Sequence, residues 1–408
     1  MSIQAPVLFE ITASDSHLAI LLPVMKMLRE GGTPLVLFSD CEILRTESRI
    51  SPLEEASIPF VRLAEHPLPG PDLDWELEAV PLRARIEAEV TRLHPSAVVV
   101  LNDRNFPSNT YIRRARRLGI PTLLVQESLR KDLFQEPTLR KLLFRWRRRI
   151  LFGIEGGLRK YGQGKCDWYA AWGETSVQYF RKVGVSPDRI RITGNPRFDQ
   201  LATARRERSN QALRAGLGFA PNGFLLTFLS SPIEKMLLVS AREKEEALAR
   251  FLKWVQDLRS EPSWRELGVV FKLHRGESPE RFRDFLRMSE AQGFARVAEA
   301  ELYPLVSGSN ATLMFSTTAG LEAALLGTPV GILGLSKPLD DWDLVGRGVA
   351  TRVTSLEDLR AFLQKVNTVH DLGLKVREAA HAYFAHIGEA SQRVTRMIEQ
   401  VARGEIPQ

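Results

Sequence analysis

Ser316, Thr317, Thr318 and Gly320 follow the apolar run Ala311–Phe315 and precede a helical pattern that contains Glu322. The start of a helix offers unpaired N–H groups and a partial positive charge, which suit a diphosphate. Small side chains let that diphosphate approach the backbone. The same residues would also serve as an ordinary helix cap. A second group, Lys272, His274 and Arg275, closes the run Val269–Phe271. A histidine at a strand end can exchange a proton near neutral pH or simply bond a loop carbonyl. His17 stands just after Val7–Ile11, and a base of near-neutral pKa is what activation of a hydroxyl requires. Ser16 can cap the same segment, leaving His17 an exposed first-turn residue, and Asp15 is an alternative base. Asp103 and Glu127 each follow an apolar run as well. They can orient an acceptor, act as base, or cap helices.

Other chemistries find little support. Cys41 and Cys166 lie far apart and match no metal spacing, so a reducing cytosol is the expected compartment. Gly156–Lys165 is glycine-rich, but its spacing is wrong for a phosphate-binding Walker loop, and it reads as a flexible connection. No signal peptide is expected at the N-terminus, and no apolar stretch is long enough to span a membrane. The net charge of +7 favours anionic partners without choosing among them. Residues 137–154 contain no acid, and Arg140, Lys141, Arg145, Arg147, Arg148 and Arg149 lie in this window. Leu139, Leu142, Leu143, Trp146 and Ile150 share one helical face there. Segment 139–152 therefore suits the surface of an anionic bilayer, or a helix packed on its own domain. No motif that reads nucleic acid is present.

A chain of 408 residues, 44% hydrophobic and 26% charged, is too long for one core and predicts two domains. Short apolar runs alternate with longer amphipathic ones, the pattern of an α/β protein with parallel sheets. Strands are predicted near 6–12, 34–39, 58–62, 96–101, 121–125, 168–172 and 189–193, with helices near 17–30, 76–93, 109–118, 139–151 and 174–184. After a polar segment at 196–221 the pattern restarts. Its strands fall near 224–229, 268–273, 294–297, 311–315, 329–333 and 349–353, and its helices near 240–259, 279–292, 301–307, 319–326 and 355–366. Helical spacing continues through 374–402. The expected organisation is a first domain at 1–195, a junction at 196–221, a second domain at 222–372 and a terminal helix at 373–408. Ligands of open parallel sheets sit outside the carboxyl ends of the strands, which is where the residues above fall.

Two runs carry a resemblance: Arg191-Ile192-Thr193-Gly194-Asn195-Pro196-Arg197-Phe198-Asp199, and Ser316-Thr317-Thr318-Ala319-Gly320-Leu321-Glu322-Ala323-Ala324-Leu325-Leu326-Gly327-Thr328-Pro329. Together they resemble the glycosyltransferase-B superfamily. The likeness is to non-hydrolysing UDP-N-acetylglucosamine 2-epimerases, CDP-glycerol glycerophosphotransferases and capsular-polysaccharide transferases. It implies two Rossmann-like, doubly wound domains facing across a cleft, with the terminal helix crossing back to the first. It also implies that the run containing Asn195 closes the first domain beside the substrate and that Glu322 holds the nucleotide ribose. By the same likeness Lys272, His274 and Arg275 would face the donor phosphates. His17, with Pro23, Leu28 and Gly31, is similar to the opening of many such enzymes, some of which use that histidine as general base. Asn102-Asp103-Arg104 and Gln126-Glu127-Ser128-Leu129-Arg130 resemble epimerase runs whose carboxylates move protons and whose arginine, here Arg130, binds phosphate. Asp341 lies where sugar-transferring relatives often place an acid on the donor sugar. The triplet Asp341-Trp342-Asp343 is not read as a metal site.

The resulting expectation is a transferase that uses a nucleotide-sugar or CDP-glycerol-type donor and acts on a glycan or lipid-linked acceptor in envelope polysaccharide synthesis. It would be cytoplasmic or peripheral at the inner face of a membrane. No cofactor, metal or nucleic acid is expected. A UDP-N-acetylglucosamine 2-epimerase and a non-catalytic nucleotide-sugar binder are the alternatives.

Overall fold

The computed structural model describes residues 3–11, 15–39, 47–63, 73–104, 106–128, 160–202, 211–235, 238–274, 276–336, 339–340 and 342–407. Contacts divide the chain into two units, Met1–Ala202 together with Ala382–Gln408, and Thr203–His381.

The first unit is built on strands β1 (Val7–Ile11), β2 (Leu35–Ser39), β3 (Phe60–Arg62), β4 (Ala97–Val100), β5 (Thr122–Val125), β6 (Trp168–Ala171) and β7 (Ile190–Ile192). They form one parallel sheet in the order β3-β2-β1-β4-β5-β6-β7. Helices α1 (Asp15–Glu30), α2 (Glu47–Glu55), α3 (Leu73–Leu93), α4 (Ser108–Arg117) and α5 (Glu174–Lys182) accompany it. Alternate residues of the central strands feed two cores. Val7, Phe9 and Ile11 pack with Leu21 and Met25 of α1 on one face. Leu8, Val98 and Val100 pack with Ile86 of α3, Ile112 of α4 and Phe180 of α5 on the other. Burial on both faces is why these strands are apolar almost without interruption. Glu10 is the exception: it is fully buried in β1 and accepts a hydrogen bond from Ser108 Oγ at 3.0 Å.

The chain end belongs to this unit. Helix α13 (Ala390–Ala402) lays Val394, Met397 and Ile398 into the α1 core. Asp199 holds its start, accepting from the backbone N–H of Gly388, Ala390 and Ser391 at 2.9, 2.9 and 2.7 Å. Gly194, at φ +82°, lets the chain pass so close to Ala385 that a Cβ would lie 2.3 Å from its carbonyl oxygen. Trp172, Phe198 and Phe384 pack ring against ring beside it.

The second unit repeats the architecture with β8 (Leu225–Leu229), β9 (Gly268–Lys272), β10 (Ala295–Val297), β11 (Ala311–Met314), β12 (Val330–Leu333) and β13 (Ala350–Val353). Their order is β10-β9-β8-β11-β12-β13, again all parallel. Its helices are α6 (Gln211–Gly216), α7 (Ala241–Arg259), α8 (Pro279–Met288), α9 (Leu302–Gly308), α10 (Thr318–Leu325), α11 (Leu356–Thr368) and α12 (Leu372–Ala380). Phe228 centres the core, with Phe271, Phe315 and Phe251 at 5.2, 5.3 and 5.6 Å between ring centroids.

The sequence expectations differ from this structure in three places. Helix α2 is absent from them. The terminal run at 374–402 is two helices, broken where His386 and Gly388 take positive φ, and the first of them, α12, packs on α10 in the second unit. The first unit therefore regains the chain at Ala382, not at 373. The boundary between the units, after Ala202, falls inside the expected junction at 196–221, where Pro196–Leu201 is a 3-10 turn of the first unit and buried Arg214 ties α6 to Gly223 and Asn310. The predicted helix at 139–151 lies outside the described residues. Among the described residues no helix is long and apolar enough to cross a membrane.

Candidate functional site

In the first sheet the strand order reverses between β1 and β4, and polar residues gather at the carboxyl ends there. The first turn of α1, directly after β1, carries His17. Glu127 lies two residues beyond β5. The two side chains meet, His17 Nε2 against Glu127 Oε2, across 110 residues of sequence. Both are nearly enclosed, with side-chain exposures of 3% and 9%. Asn102, just past β4, donates from Nδ2 to the other oxygen of Glu127 at 3.2 Å. Its own Oδ1 is fixed by the N–H of Arg104 at 2.9 Å. Tyr161 holds the backbone of the pair, accepting from Glu127 N–H and donating to the carbonyl of Leu101, both at 3.1 Å. Glu127 and Asn102 are thus each supported by a second hydrogen bond, the condition for a fixed geometry. With a carboxylate oxygen as its partner, Nε2 is the donor of this pair.

Asp103 stands apart from this pair. Its carboxylate is buried and accepts from the backbone N–H of Gly162 and Gly164 at 3.0 and 2.6 Å. Burial raises this carboxyl above its ordinary value, while the two N–H bonds partly offset the rise. Both oxygens serve the loop before β6, so the geometry makes Asp103 a latch on that loop. Residues 160–165 are correspondingly packed: Tyr161 is buried, and Gln163 Nε2 donates to the carbonyl of Val183 at 3.0 Å. This part of the connection expected to be flexible at 156–165 is held in place, and residues 156–159 lie outside the described residues. Cys166 follows, fully enclosed, and burial pushes its thiol well up.

The 191–199 run is an internal clasp. The side chain of Asn195 caps the turn Pro196–Leu201 by accepting from Arg197 N–H at 3.1 Å, and Asp199 holds α13 as described. Arg191 Nε donates to the carbonyl of Pro407 at 2.5 Å.

In the second sheet the order reverses between β8 and β11. Ser230 and Ser231 follow β8, and Ser316 and Thr317 follow β11. Ser231 Oγ donates to the carbonyl of Ser316 at 3.1 Å, joining the two loops. Thr317 is the N-cap of α10, its hydroxyl accepting from Ala319 N–H at 3.3 Å. Thr318 is the first helical residue and is half-buried. Gly320 sits over Met314, whose sulfur would lie 2.2 Å from an added Cβ, so this glycine serves close helix–strand packing. Glu322 is buried and accepts from Tyr303 Oη at 2.6 Å. Lys272 Nζ donates to the carbonyl of Ala300 at 2.6 Å. His274 is exposed on the loop after β9, its Nδ1 accepting from Gly276 N–H at 3.1 Å. Arg130, Arg275, Asp341 and the basic segment 139–152 lie outside the described residues.

Sequence reasoning misses a buried lysine. Lys244, near the start of α7, donates to Ser231 O, Glu234 and Glu277 at 2.9, 2.9 and 2.6 Å. Burial would raise the Glu234 carboxyl, but the Lys244 bond and charge outweigh it and hold the group below its ordinary value. The available signal is positional: Lys244 stands on the stripe that continues with Ala247, Leu248, Phe251 and Val255, the buried face of α7. Among the described residues no cluster of three or more His, Cys, Asp or Glu could hold a metal ion.

No family model and no curated protein matches the sequence. Solved structures do match the architecture. The UDP-GlcNAc 2-epimerase of Neisseria meningitidis bound to UDP-GlcNAc is 15% identical with a TM-score of 0.62, over 97% of this chain and 100% of that one. Anabaena HepE in complex with UDP and glucose is 16% identical with a TM-score of 0.60, over 97% and 100%. A glycosyltransferase from Rickettsia africae is 11% identical with a TM-score of 0.60, over 98% and 99%. What is shared at these identities is the arrangement of elements: this chain has the glycosyltransferase-B fold.

Proposed function

We propose that the protein is a UDP-sugar-dependent glycosyltransferase. The observation that carries this reading is the buried contact between His17 and Glu127, braced by Asn102, at the carboxyl edge of the first sheet. An acceptor hydroxyl would give its proton to the His17 ring as its oxygen bonds to the anomeric carbon. The bond from that carbon to the diphosphate breaks, and UDP leaves with the electron pair. Glu127 holds the ring and stabilises the imidazolium that forms, a role typically worth about 10²–10⁴-fold in rate together with the base. In the second unit, the N–H groups at the start of α10 and Lys272 at the end of β9 would carry the diphosphate. The similar structures from Neisseria and Anabaena were solved with UDP-GlcNAc or UDP, which supports a uridine nucleotide as donor. The acceptor class, a glycan or lipid-linked hydroxyl, rests on the sequence resemblance.

The second reading, a UDP-GlcNAc 2-epimerase, is favoured by the whole-length likeness to the Neisseria enzyme. The state of Asp103 counts against it. The carboxylate that resembles an epimerase proton carrier has both oxygens bonded to backbone N–H groups. Incubation with UDP-GlcNAc alone, followed by proton NMR, separates the two. The transferase reading expects no 2-epimer and only slow release of UDP by transfer to water, diminished in His17→Ala. Accumulation of the 2-epimer would replace it with the epimerase reading.

A further inference from the structure

Two loops at the carboxyl edge of the second sheet meet at one buried ammonium group, and a third is joined to them through Ser231. Lys244 is 6% exposed, and its three donors meet three acceptors: the carbonyl of Ser231 after β8, Oε2 of Glu234 on the same loop, and Oε1 of Glu277 after β9. Glu277 is fully engaged in turn. Its Oε1 also accepts from Ser230 Oγ at 2.8 Å, and its Oε2 accepts the backbone N–H of His274 at 2.9 Å. Ser231 passes the connection on through its hydroxyl, which donates to the carbonyl of Ser316 at 3.1 Å. The lysine thus links the loop after β8, the loop carrying Lys272 and His274, and the loop that starts α10.

We infer that Lys244 and Glu277 are positioning residues that set the nucleotide-binding loops of the second unit, holding His274 and Ser316 in register with one another. The inference rests on the proposed nucleotide site, because two of these loops, the one after β9 and the one that starts α10, are assigned to the diphosphate. Neither residue needs to touch the ligand. A buried ion pair often adds little net stability, and replacing both partners together can be neutral, whereas removing one strands the other. Such a pair can fix geometry without being the main source of stability. The loops after β8 and β9 converge on one lysine and one glutamate, and Ser231 carries the link to the third, so moving either residue shifts all three.

The test uses the full chain with Lys244→Met, Glu277→Gln and the double variant. Titration calorimetry with UDP gives affinity, and peptide-resolved hydrogen exchange without ligand gives loop order. Each single variant should bind UDP about tenfold more weakly, and the double variant no more weakly than the worse single one, because the two residues act as one unit. Exchange should quicken at 230–235, 272–277 and 316–319, and stay unchanged in β12 and β13. Ser231→Ala removes only the last link, Ser231 Oγ to Ser316, and serves if the buried variants fail to fold. It should quicken exchange at 316–319 and weaken UDP binding about threefold. Folded variants with wild-type affinity and wild-type exchange in these loops would overturn the inference, as would strictly additive losses. If the wild type binds no UDP, the proposed function fails by itself. The loop coupling is then decided by exchange alone, and unchanged exchange in Lys244→Met would sink it.

Discussion

At the carboxyl edge of the first sheet, His17, Asn102 and Glu127 leave three different strands and meet through their side chains. At the same edge of the second sheet, Ser231, His274 and Ser316 also leave three strands, but they are tied through backbone groups, the carbonyl of Ser316 and the N–H of His274, and the start of a helix stands beside them. The first arrangement suits the transfer of a proton. The second suits the binding of an anion, which needs N–H groups and positive charge more than titratable side chains. Under the proposed function, general-base work would fall to the first unit and leaving-group stabilisation to the second.

The division predicts that damage to the two edges has different kinetic signatures. His17→Ala should lower turnover by about 10²–10⁴-fold and leave UDP affinity nearly unchanged, and Glu127→Gln should lower it less. Steady-state kinetics beside calorimetry reads both quantities. Loss of UDP affinity with turnover per bound donor intact would reverse the assignment of the two edges.

A second contrast separates a motif proposed to bind from one that builds. Asp199→Ala removes a carboxylate that accepts from three backbone N–H groups at the start of α13. It should cost about 2–3 kcal/mol in denaturant unfolding, since hydrogen bonds to charged groups contribute about 1.5–3 kcal/mol each and water recovers part of the loss. UDP affinity should not change. A variant as stable as the wild type but weaker for UDP would return this run to the ligand.

Asp103 gives a smaller effect with a definite sign. Its folded carboxyl sits above the ordinary value of 3.8, chiefly through burial. The folded state therefore holds this proton more tightly than the unfolded chain does. Between the ordinary value and the raised one, stability falls as pH rises, and above the raised value the cost is constant. Asp103→Asn cannot titrate and leaves one glycine N–H without its acceptor. It should be less stable than the wild type by about 1–3 kcal/mol at low pH, with the gap narrowing as pH rises through that window. Urea unfolding at a series of pH values checks this. A gap that widens with pH would mean that the ionised form is the one the fold favours.

These contrasts also explain what can be read from sequence. The strands are legible because a parallel strand covered on both faces is an apolar run, as Ala97, Val98, Val99 and Val100 illustrate in β4. Helix α2 is not, because its nine residues ESRISPLEE are mostly polar and include Pro52. His17 and Glu127 both stand out as candidates, yet their contact is invisible in the sequence, since only the β1-β4-β5 order brings positions 110 residues apart together. Asn195 looks like a ligand residue because short polar side chains after a strand serve turns and substrates alike. Lys244 is hidden in the charged run Arg242-Glu243-Lys244-Glu245-Glu246, where a solvated face is the ordinary reading.

The central claim, that the second unit carries a uridine nucleotide at the start of α10, is tested most directly by titrating UDP into the wild type and into a Thr317→Val/Thr318→Val double variant by calorimetry. Valine removes both hydroxyls with little change in volume, so the fold should persist while the cap and any hydroxyl contact to phosphate are lost. The account predicts saturable one-site binding to the wild type and about tenfold weaker binding or worse in the variant, with unfolding shifted by no more than about 1–2 kcal/mol. Equal affinity for UDP in the two proteins, or none in the wild type, would contradict it.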